Sequence, residues 1–345
     1  MTPASFPSAM ARETHEAPEA VARLLAREGA AIAALGRRLA GMDPPVVVTC
    51  ARGSSDHAAH YLKYLLETAL GVPVASVGPS VASVYGTRLR LRGAVVVTIS
   101  QSGRSPDLVA FQAAARQGGA LAVALVNDTT GPVAAEADVV VPLCAGPETS
   151  VAATKSFVAS CAAAAALVAA WAGDAALDRA LNGLPERLEA ALACDWTGAA
   201  ALGAAPGGYV VGRGPALAVA HEMALKGKEV AGRHLEAFSL AEVMHGPLQL
   251  AGPGFPMLAL VPDDAALAAN RDALQRLVET GAPVLAASPV AGLPGTALPA
   301  AGCGHGALDP LGMVLGFYRW VEAAARAQGL DPDRPSRLAK VTRTV

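Results

Sequence analysis

The chain has 345 residues, of which 53% are hydrophobic and 16% are charged, and its formal net charge is -2. This length predicts two domains of ordinary size, and the composition supplies enough apolar side chains for their cores. The balanced charge excludes the basic surface of proteins that bind nucleic acid or an anionic membrane. We therefore expect any anionic ligand to be bound through local geometry.

The first half alternates between β-branched runs and helix-length segments. Strands are predicted at residues 46–49, 95–99, 121–126 and 139–141, with helices at 57–70 and 107–117. Continuous apolar strands that alternate with helices are typical of a parallel sheet covered on both faces. We assign residues 1–34 to an N-terminal helical segment and residues 35–173 to a first lobe.

A similar pattern begins again after a predicted helical connector at residues 174–199. Strands are predicted at 209–211, 257–261 and 284–287, and helices at 215–230 and 310–328. The spacing from Gly53 to Ser100 is 47 residues, and that from Gly214 to Pro262 is 48. Such self-similarity indicates an internal duplication. The sequence thus predicts an α/β fold of two similar doubly wound lobes, the second at 200–330, followed by a tail at 331–345.

Three further patterns concern the membrane, metals and location. Residues 157–173 carry no charge but are short and rich in alanine, which predicts a buried helix rather than a membrane span. Neither the seven histidines nor the five scattered cysteines have metal-site spacing, so we predict no metal, no cofactor and no disulfide framework. Residues 1–16 lack the apolar core of a signal peptide, and a reducing, cytoplasmic location is expected.

Two serine-rich turns follow strands of the first lobe. Hydroxyl and backbone N–H groups at a helix N-terminus can hold a phosphate without a lysine. One such turn would indicate only a capped helix, but two turns beside neighbouring strands favour an anion site. The residues with side chains that could bind in these turns are Ser54, Ser55, Ser100, Gln101, Ser102 and Ser105.

A charged group of three stands on the first predicted helix of the second lobe. Glu222, Lys226 and Glu229 have the spacing of one helix face. The pattern is common on solvated surfaces, but the other helices of this chain present mostly alanine. A carboxylate beside a lysine could serve as a base. The Gly-Pro that follows His245 predicts a histidine in an ordinary loop. The position of Lys340 near the chain end predicts an ordinary surface lysine.

Taken together, several motifs in order resemble the sugar isomerase (SIS) family, over a stretch from about Arg12 to Val345. Within that family the similarity is greatest to the isomerase half of glutamine–fructose-6-phosphate aminotransferases. The matching segments are residues 10–18, 100–103, 148–157 (ETSVAATKSF), 225–229, 245–247 and 338–340. The resemblance implies tandem SIS domains.

The resemblance also implies how a sugar phosphate would be bound. Serine and glutamine side chains of the two turns would hold the phosphate, with Ser54 as a further candidate in the first turn. Val151 and Ala339 would offer backbone groups to the sugar. The implied partner of the chain is thus a sugar-phosphate substrate.

For catalysis, the resemblance assigns proton transfer between C1 and C2 to Glu229. His245 would open the sugar ring and would come from the partner subunit of a homodimer. Lys340 would hold the open-chain ketose as an imine, assisted by Lys226, and Glu222 lies near this cluster with a less defined role.

Three departures from the aminotransferase pattern affect the expected reaction. No cysteine follows Met1, so the glutaminase half is not expected, and Ala153 stands where the family has a serine. The residues at 330–335 and 340–344 look more like the stand-alone deaminases of the family.

Three hypotheses follow. The first is an isomerising deaminase that converts an amino-sugar phosphate, such as glucosamine 6-phosphate, to fructose 6-phosphate and ammonia. The second keeps the site but changes the substrate, as in a fructosamine-6-phosphate deglycase or an aldose–ketose isomerase. The third is a sugar-phosphate sensor without chemistry, which would need the serine turns but not Glu229, His245 and Lys340 together.

Overall fold

The computed structural model describes residues 6–340, which form two compact units. The N-terminal unit contains Glu19–Glu148, Lys155–Asn182 and residues 339–340, whereas the C-terminal unit contains residues 6–18, Thr149–Thr154 and Gly183–Leu338. Residues 1–5 and 341–345, at the ends of the predicted helical segment and tail, lie outside the described residues. The domain boundaries drawn from the sequence remain predictions.

The N-terminal unit is built on a five-stranded parallel sheet with the strand order β2-β1-β3-β4-β5. Its central strands β1, β3 and β4 are almost wholly buried, as expected for a sheet with helices on both faces. The strands are β1 Val47–Cys50, β2 Val74–Ser76, β3 Val95–Ser100, β4 Leu121–Val126 and β5 Val139–Pro142. Two helices, α1 Ala9–His15 and α2 Ala17–Met42, precede β1, and α1 falls in the C-terminal unit. The helices that follow are α3 Ser54–Leu70, α4 Ser80–Ser83, α5 Pro106–Gln117, α6 Pro132–Ala135, α7 Lys155–Ala172 and α8 Ala175–Asn182.

The C-terminal unit contains a second five-stranded parallel sheet, with the order β10-β9-β8-β6-β7. Its strands are β6 Gly207–Gly212, β7 His234–Ser239, β8 Met257–Leu260, β9 Val284–Ser288 and β10 Thr296–Pro299. Besides α1, its helices are α9 Leu184–Leu192, α10 Ala200–Ala204, α11 Pro215–Ala231, α12 Leu267–Glu279 and α13 Asp309–Ala327.

The two sheets have the same topology. In each, the second strand in sequence lies at one edge beside the first strand, and the third, fourth and fifth strands follow in order on the opposite side of the first. The turns after the equivalent strands β1 and β6 also agree. Gly53 has φ 54° and ψ -132°, and Gly214 has φ 61° and ψ -136°. Residues other than glycine rarely adopt a positive φ of this size, which explains why glycine stands at this position in both copies. The predicted α/β fold of two similar doubly wound lobes is confirmed.

Helix α7 contains most of the uncharged segment noted in the sequence. Among the described residues it is long and apolar enough, by length and composition alone, to cross a membrane. However, 83% of this helix is buried inside the protein, where it packs against α3 and α8. Such burial is typical of a core helix, in agreement with the sequence interpretation.

Candidate active site

The serine-rich turn between β3 and α5 is held by its own hydroxyl groups. The Gly103 N–H donates to Ser100 Oγ (3.0 Å), and the Arg104 N–H donates to Ser102 Oγ (3.3 Å). A hydroxyl that accepts a hydrogen bond still has its own hydrogen to donate. Both serines can therefore stabilise the turn and donate to an anion at the same time.

The segment after β4 supports this turn from one side. Val133 N–H donates to the Gly103 carbonyl (3.1 Å), and a Cβ on Gly131 would lie 2.8 Å from the same oxygen. Gly103 itself has φ +63°, and a Cβ there would lie 3.1 Å from the Asp128 carbonyl. Two glycines thus allow the backbones to approach closely, and Arg104 pairs with Asp128 (2.9 Å) at the rim.

An ion pair joins the first serine-rich turn to the helix that follows the second. Arg52 Nε and Nη2 lie 2.9 and 2.7 Å from Asp107 Oδ2, and the Leu108 N–H donates to Asp107 Oδ1 (2.8 Å). The Asp107 side chain is fully buried. This pair links the two turns, and its residues are 55 apart in sequence, too far for a local pattern to predict it.

Replacing Arg52 with methionine should destabilise the protein by about 1–3 kcal/mol, because a buried carboxylate would lose a charged hydrogen-bond partner. Urea unfolding would measure this change. The matched control is Arg116→Met, since Arg116 pairs only with half-exposed carboxylates of the same unit. A loss below about 1 kcal/mol is expected for the control. Equal losses for the two variants would show that the Arg52 pair is an ordinary surface contact.

In the C-terminal unit, α11 brings together the three charged residues that the sequence placed on one face. Lys226 Nζ lies 2.7 Å from Glu229 Oε2 and 3.2 Å from Glu222 Oε1. Tyr318 on α13 donates its hydroxyl to the same Glu222 oxygen (3.0 Å). Glu222 and Lys226 are buried, whereas the Glu229 side chain is 22% exposed. Burial by itself lowers the pKa of Lys226, but the two carboxylates outweigh it and raise that pKa, so the ammonium form is held.

Glu229 borders a cavity of about 750 Å³. One wall is the end of α11, and the other is the chain segment that follows α13. Its size falls in the range of small-molecule sites. The lining residues are Leu225, Lys228, Glu229, Val230, Gly232, Gly329, Leu330, Asp331, Arg334, Pro335, Ser336, Arg337 and Leu338. Glu229 thus has an ammonium group on one side and space for a ligand on the other, which is an arrangement suited to proton transfer.

His245 follows a single 3₁₀ turn, Glu242–Met244, and is exposed. Its backbone N–H donates to the Glu242 carbonyl (3.0 Å). The structure describes no hydrogen bond or ion pair of its imidazole with any of residues 6–340. Its role across a subunit interface stays a prediction.

Lys340 lies beside a buried glutamate of the N-terminal unit. Its Nζ is 3.3 Å from Oε2 of Glu148, whose side chain is fully buried. Glu148 also accepts the N–H and the hydroxyl of Ser156, at 3.1 and 2.7 Å. No local sequence pattern indicated this contact, because Glu148 and Lys340 are 192 residues apart.

The predicted sugar-binding backbone at Val151 belongs to a network within the C-terminal unit. The Val151 N–H donates to the Asp333 carbonyl (3.1 Å). The Asp333 carboxylate accepts the N–H groups of Ala9 (2.7 Å) and Met10 (2.8 Å). Asp333 therefore joins the start of α1, the Val151 segment and the segment that leads to Lys340. The other predicted backbone donor, Ala339, is exposed.

Replacing Asp333 with asparagine should lower the free energy of unfolding by about 1–3 kcal/mol, because an amide N–H would face a backbone N–H at the start of α1. Urea unfolding measures the change. Asp272→Asn, an exposed change on α12, should stay within about 0.5 kcal/mol of the original protein. A similar result for both variants would contradict the role of Asp333.

Two acidic residues follow β8, the strand equivalent to β3. They are Asp263 and Asp264, whereas Gln101 and Ser102 follow β3 in the first copy. Asp264 accepts the Ala266 N–H (2.8 Å), and the Asp263 N–H donates to Asp309 (3.0 Å). A carboxylate repels a phosphate, so these residues do not favour an anion site of the serine-rich kind in the second copy. Among residues 6–340 there is no group of three or more His, Cys, Asp or Glu side chains that could hold a metal ion.

Comparison with known proteins places these features in a family. Residues 44–170 match the SIS domain. A solved structure from Silicibacter pomeroyi DSS-3, of a protein classed as a phosphosugar isomerase, is 46% identical, covers 94% of this chain and 100% of its own, and has a TM-score of 0.90. The chain belongs to the SIS family. The resemblance inferred from the motifs is confirmed.

Two other relatives are consistent with SIS membership. The glutamine–fructose-6-phosphate aminotransferase [isomerizing] of Aeropyrum pernix is 32% identical over 361 residues, which cover 98% of this chain and 57% of the relative. The chain therefore spans about half the length of the curated relatives it matches. The C-terminal domain of glucosamine-fructose-6-phosphate aminotransferase from Francisella tularensis shares the fold, with a TM-score of 0.83, 23% identity and coverage of 97% of this chain and 100% of its own. The roles of individual site residues remain predictions.

Proposed function

We propose that this SIS protein is an isomerising deaminase that converts an amino-sugar phosphate, most simply glucosamine 6-phosphate, to fructose 6-phosphate and ammonia. The observation that carries the proposal is the position of Glu229, between the buried ammonium of Lys226 and a cavity large enough for a sugar phosphate. The likeness to a protein classed as a phosphosugar isomerase supports the same class of substrate.

In this proposal the N-terminal unit binds the phosphate. The hydroxyls of Ser100 and Ser102 donate to it, together with Ser105, Gln101 and the serines of the first turn. No lysine is required, because backbone N–H groups at the start of a helix and neutral hydroxyls attract an anion. Arg52 supports the turns indirectly, through its ion pair with Asp107.

Proton transfer falls to Glu229. After His245 opens the ring, the Glu229 carboxylate takes the proton from C2 and returns it at C1, which converts the aminoaldose to a ketose imine. Lys226 holds its ammonium group 2.7 Å from the Glu229 carboxylate. The nitrogen on C2 can delocalise the charge that develops when C2 loses its proton, by imine–enamine chemistry. The proposed reaction therefore requires neither metal nor cofactor.

Ammonia then leaves by exchange at C2. The neutral amine of Lys340 adds to the imine carbon and expels ammonia, so that the ketose is held as an imine of Lys340. Water adds to this imine and releases fructose 6-phosphate and the free lysine. Val151 and Ala339 hold the sugar through their backbones, and Glu222 holds Lys226. A homodimer, in which His245 serves the partner's site, and a cytoplasmic location belong to the same proposal.

A second candidate keeps this chemistry but places a larger substituent on the nitrogen. Arg334 and Arg337 line the cavity beside Glu229 and could receive the carboxylate of an amino acid attached to the sugar. Fructosamine-6-phosphate deglycase would be the corresponding activity.

The deciding experiment measures ammonia or amino-acid release together with fructose 6-phosphate. The substrates are glucosamine 6-phosphate, galactosamine 6-phosphate and a fructosamine 6-phosphate, with glutamine plus fructose 6-phosphate beside them. Equimolar ammonia and fructose 6-phosphate from one amino sugar would support the deaminase and identify the epimer. Release from the fructosamine alone would support the deglycase. Tight binding of sugar phosphates without any turnover would overturn both in favour of a sensor.

A further inference from the structure

Glu148 is a fully buried carboxylate with hydrogen bonds to Ser156 and Lys340. Its Oε1 accepts the Ser156 N–H (3.1 Å), and its Oε2 accepts the Ser156 hydroxyl (2.7 Å) and lies 3.3 Å from Lys340 Nζ. Ser156 is the second residue of α7, so the carboxylate lies at the positive end of an 18-residue helix. These contacts place an N–H, a hydroxyl and an ammonium group against the buried carboxylate.

The Lys340 side chain is 26% exposed. A lysine in such a position can hold its ammonium group in water at little cost. Here the ammonium is instead directed at Oε2 of Glu148, the oxygen that also binds the Ser156 hydroxyl. A buried carboxylate that already has two partners from Ser156 has less need of a cation for its own stability.

The contact between Lys340 and Glu148 would assist a lysine that forms an imine. Only a neutral amine adds to a carbon–nitrogen or carbon–oxygen double bond, and an ordinary lysine is neutral in roughly one molecule in a thousand at neutral pH. A lysine that forms an imine therefore benefits from a neighbouring group that accepts a proton and returns it.

We propose that Glu148 is a positioning residue that holds Lys340 and exchanges a proton with it. The inference rests on the proposed function, because it takes Lys340 as the imine-forming lysine. In the resting state the ammonium of Lys340 pairs with Glu148. When a ketose is bound, the proton moves from Nζ to Oε2, and the freed electron pair of Nζ forms a bond to C2.

The same proton completes the step. The electrons of the C2 carbonyl bond move to its oxygen, which receives a proton from the added nitrogen to become a hydroxyl. Glu148 then returns its proton to that hydroxyl, water leaves, and the nitrogen electron pair forms the protonated imine. The net change is ammonium plus ketone to protonated imine plus water, and Glu148 ends as the carboxylate with which it began.

The test traps this imine. Protein, fructose 6-phosphate and sodium cyanoborohydride are mixed, and the reduced adduct on Lys340 is followed by mass spectrometry of the intact protein and of its peptides. Glu148→Gln keeps the size of the side chain and an acceptor for the Ser156 N–H but removes the charge. We expect the rate of trapping and kcat to fall about 100-fold, the scale of a lost proton-transfer group. The dissociation constant for glucitol 6-phosphate, which has no C2 carbonyl, should change less than about threefold.

Two further variants separate the chemical role from a structural one. Ser156→Ala removes a hydrogen bond to the same Glu148 oxygen but leaves the charge, so trapping should stay within about threefold of the original rate. Glu148→Asp restores the charge on a shorter side chain and should recover part of the trapping lost in Glu148→Gln. It also tests the proposal if the glutamine variant does not fold.

The outcomes distinguish the inference from the function. Trapping by Glu148→Gln at the original rate, or an equal loss in Ser156→Ala, would overturn the role of Glu148 alone. Turnover by the unaltered protein without any adduct on Lys340 would overturn the imine step of the proposed function. An adduct that forms in the unaltered protein and Ser156→Ala but is slowed in Glu148→Gln supports both.

Discussion

Replacing Glu229 with glutamine should lower kcat by about 10²–10⁴-fold, because a neutral amide cannot take the proton from C2. Binding of a sugar phosphate should be nearly unchanged. The amide keeps the size of the side chain, and the phosphate is proposed to bind through the serine-rich turns. Steady-state kinetics with the substrate found by the release assay and calorimetry with glucitol 6-phosphate would separate the two effects.

The matched control is Glu236→Gln, which changes an exposed glutamate on β7 of the same unit. Its kcat should stay within about twofold of the original value, since exposed positions away from a site have small effects. Loss of glucitol 6-phosphate binding in Glu229→Gln would mean that Glu229 binds the sugar and that the base is another residue. Unchanged kcat would mean that Glu229 has no part in the chemistry.

The largest expected loss of stability follows from Lys226→Met, at about 3–5 kcal/mol by urea unfolding. The reason is the carboxylate of Glu222, which is fully buried and would lose the ammonium 3.2 Å away. Removing one partner of a buried ion pair leaves an uncompensated charge, whereas removing both is far less costly. The Glu222→Gln/Lys226→Met double variant should therefore be more stable than Lys226→Met alone.

The pH dependence of this difference follows from the raised pKa of Lys226. A lysine whose pKa is higher in the folded state contributes stability that is fully present below its unfolded value of about 10.4. That contribution is lost as the pH rises through the folded pKa. The difference between the original protein and Lys226→Met should thus be constant near neutral pH and shrink above about pH 10. A difference that already falls between pH 7 and 9, or a double variant less stable than the single one, would contradict the buried pair.

Much of the fold could be predicted, because the central strands are continuous β-branched runs. The run at residues 95–99 became β3 with one added residue, and the strand predicted at 121–126 became β4 unchanged. The strands β2, β7 and β10 were missed. All three are edge strands that are short or partly polar and have exposed residues, so their sequences lack the apolar signal. The predicted connector helix is also divided, since α8 ends at Asn182 and α9 begins at Leu184.

The candidate site was predictable only where its residues are close in sequence. The spacing of Glu222, Lys226 and Glu229 placed them on one helix face, and the structure joins them by ion pairs. No local pattern could supply Tyr318, which is 96 residues from the glutamate it contacts. The same limit applies to Asp333, which is more than 300 residues from the helix start that it binds. Such contacts depend on how distant elements pack, and one sequence does not encode that in any local pattern.

The duplicated sheet gives the two copies different freedom to change. In the first copy, the edge at the end of β3 carries the neutral side chains of Ser100, Gln101 and Ser102. In the second copy, Asp263 and Asp264 carry negative charge at the equivalent edge. The Asp309 carboxylate also accepts the backbone N–H of Asp263 there. An anion site at this edge is therefore expected in the first copy alone, and the equivalent edge of the second copy is free of that constraint.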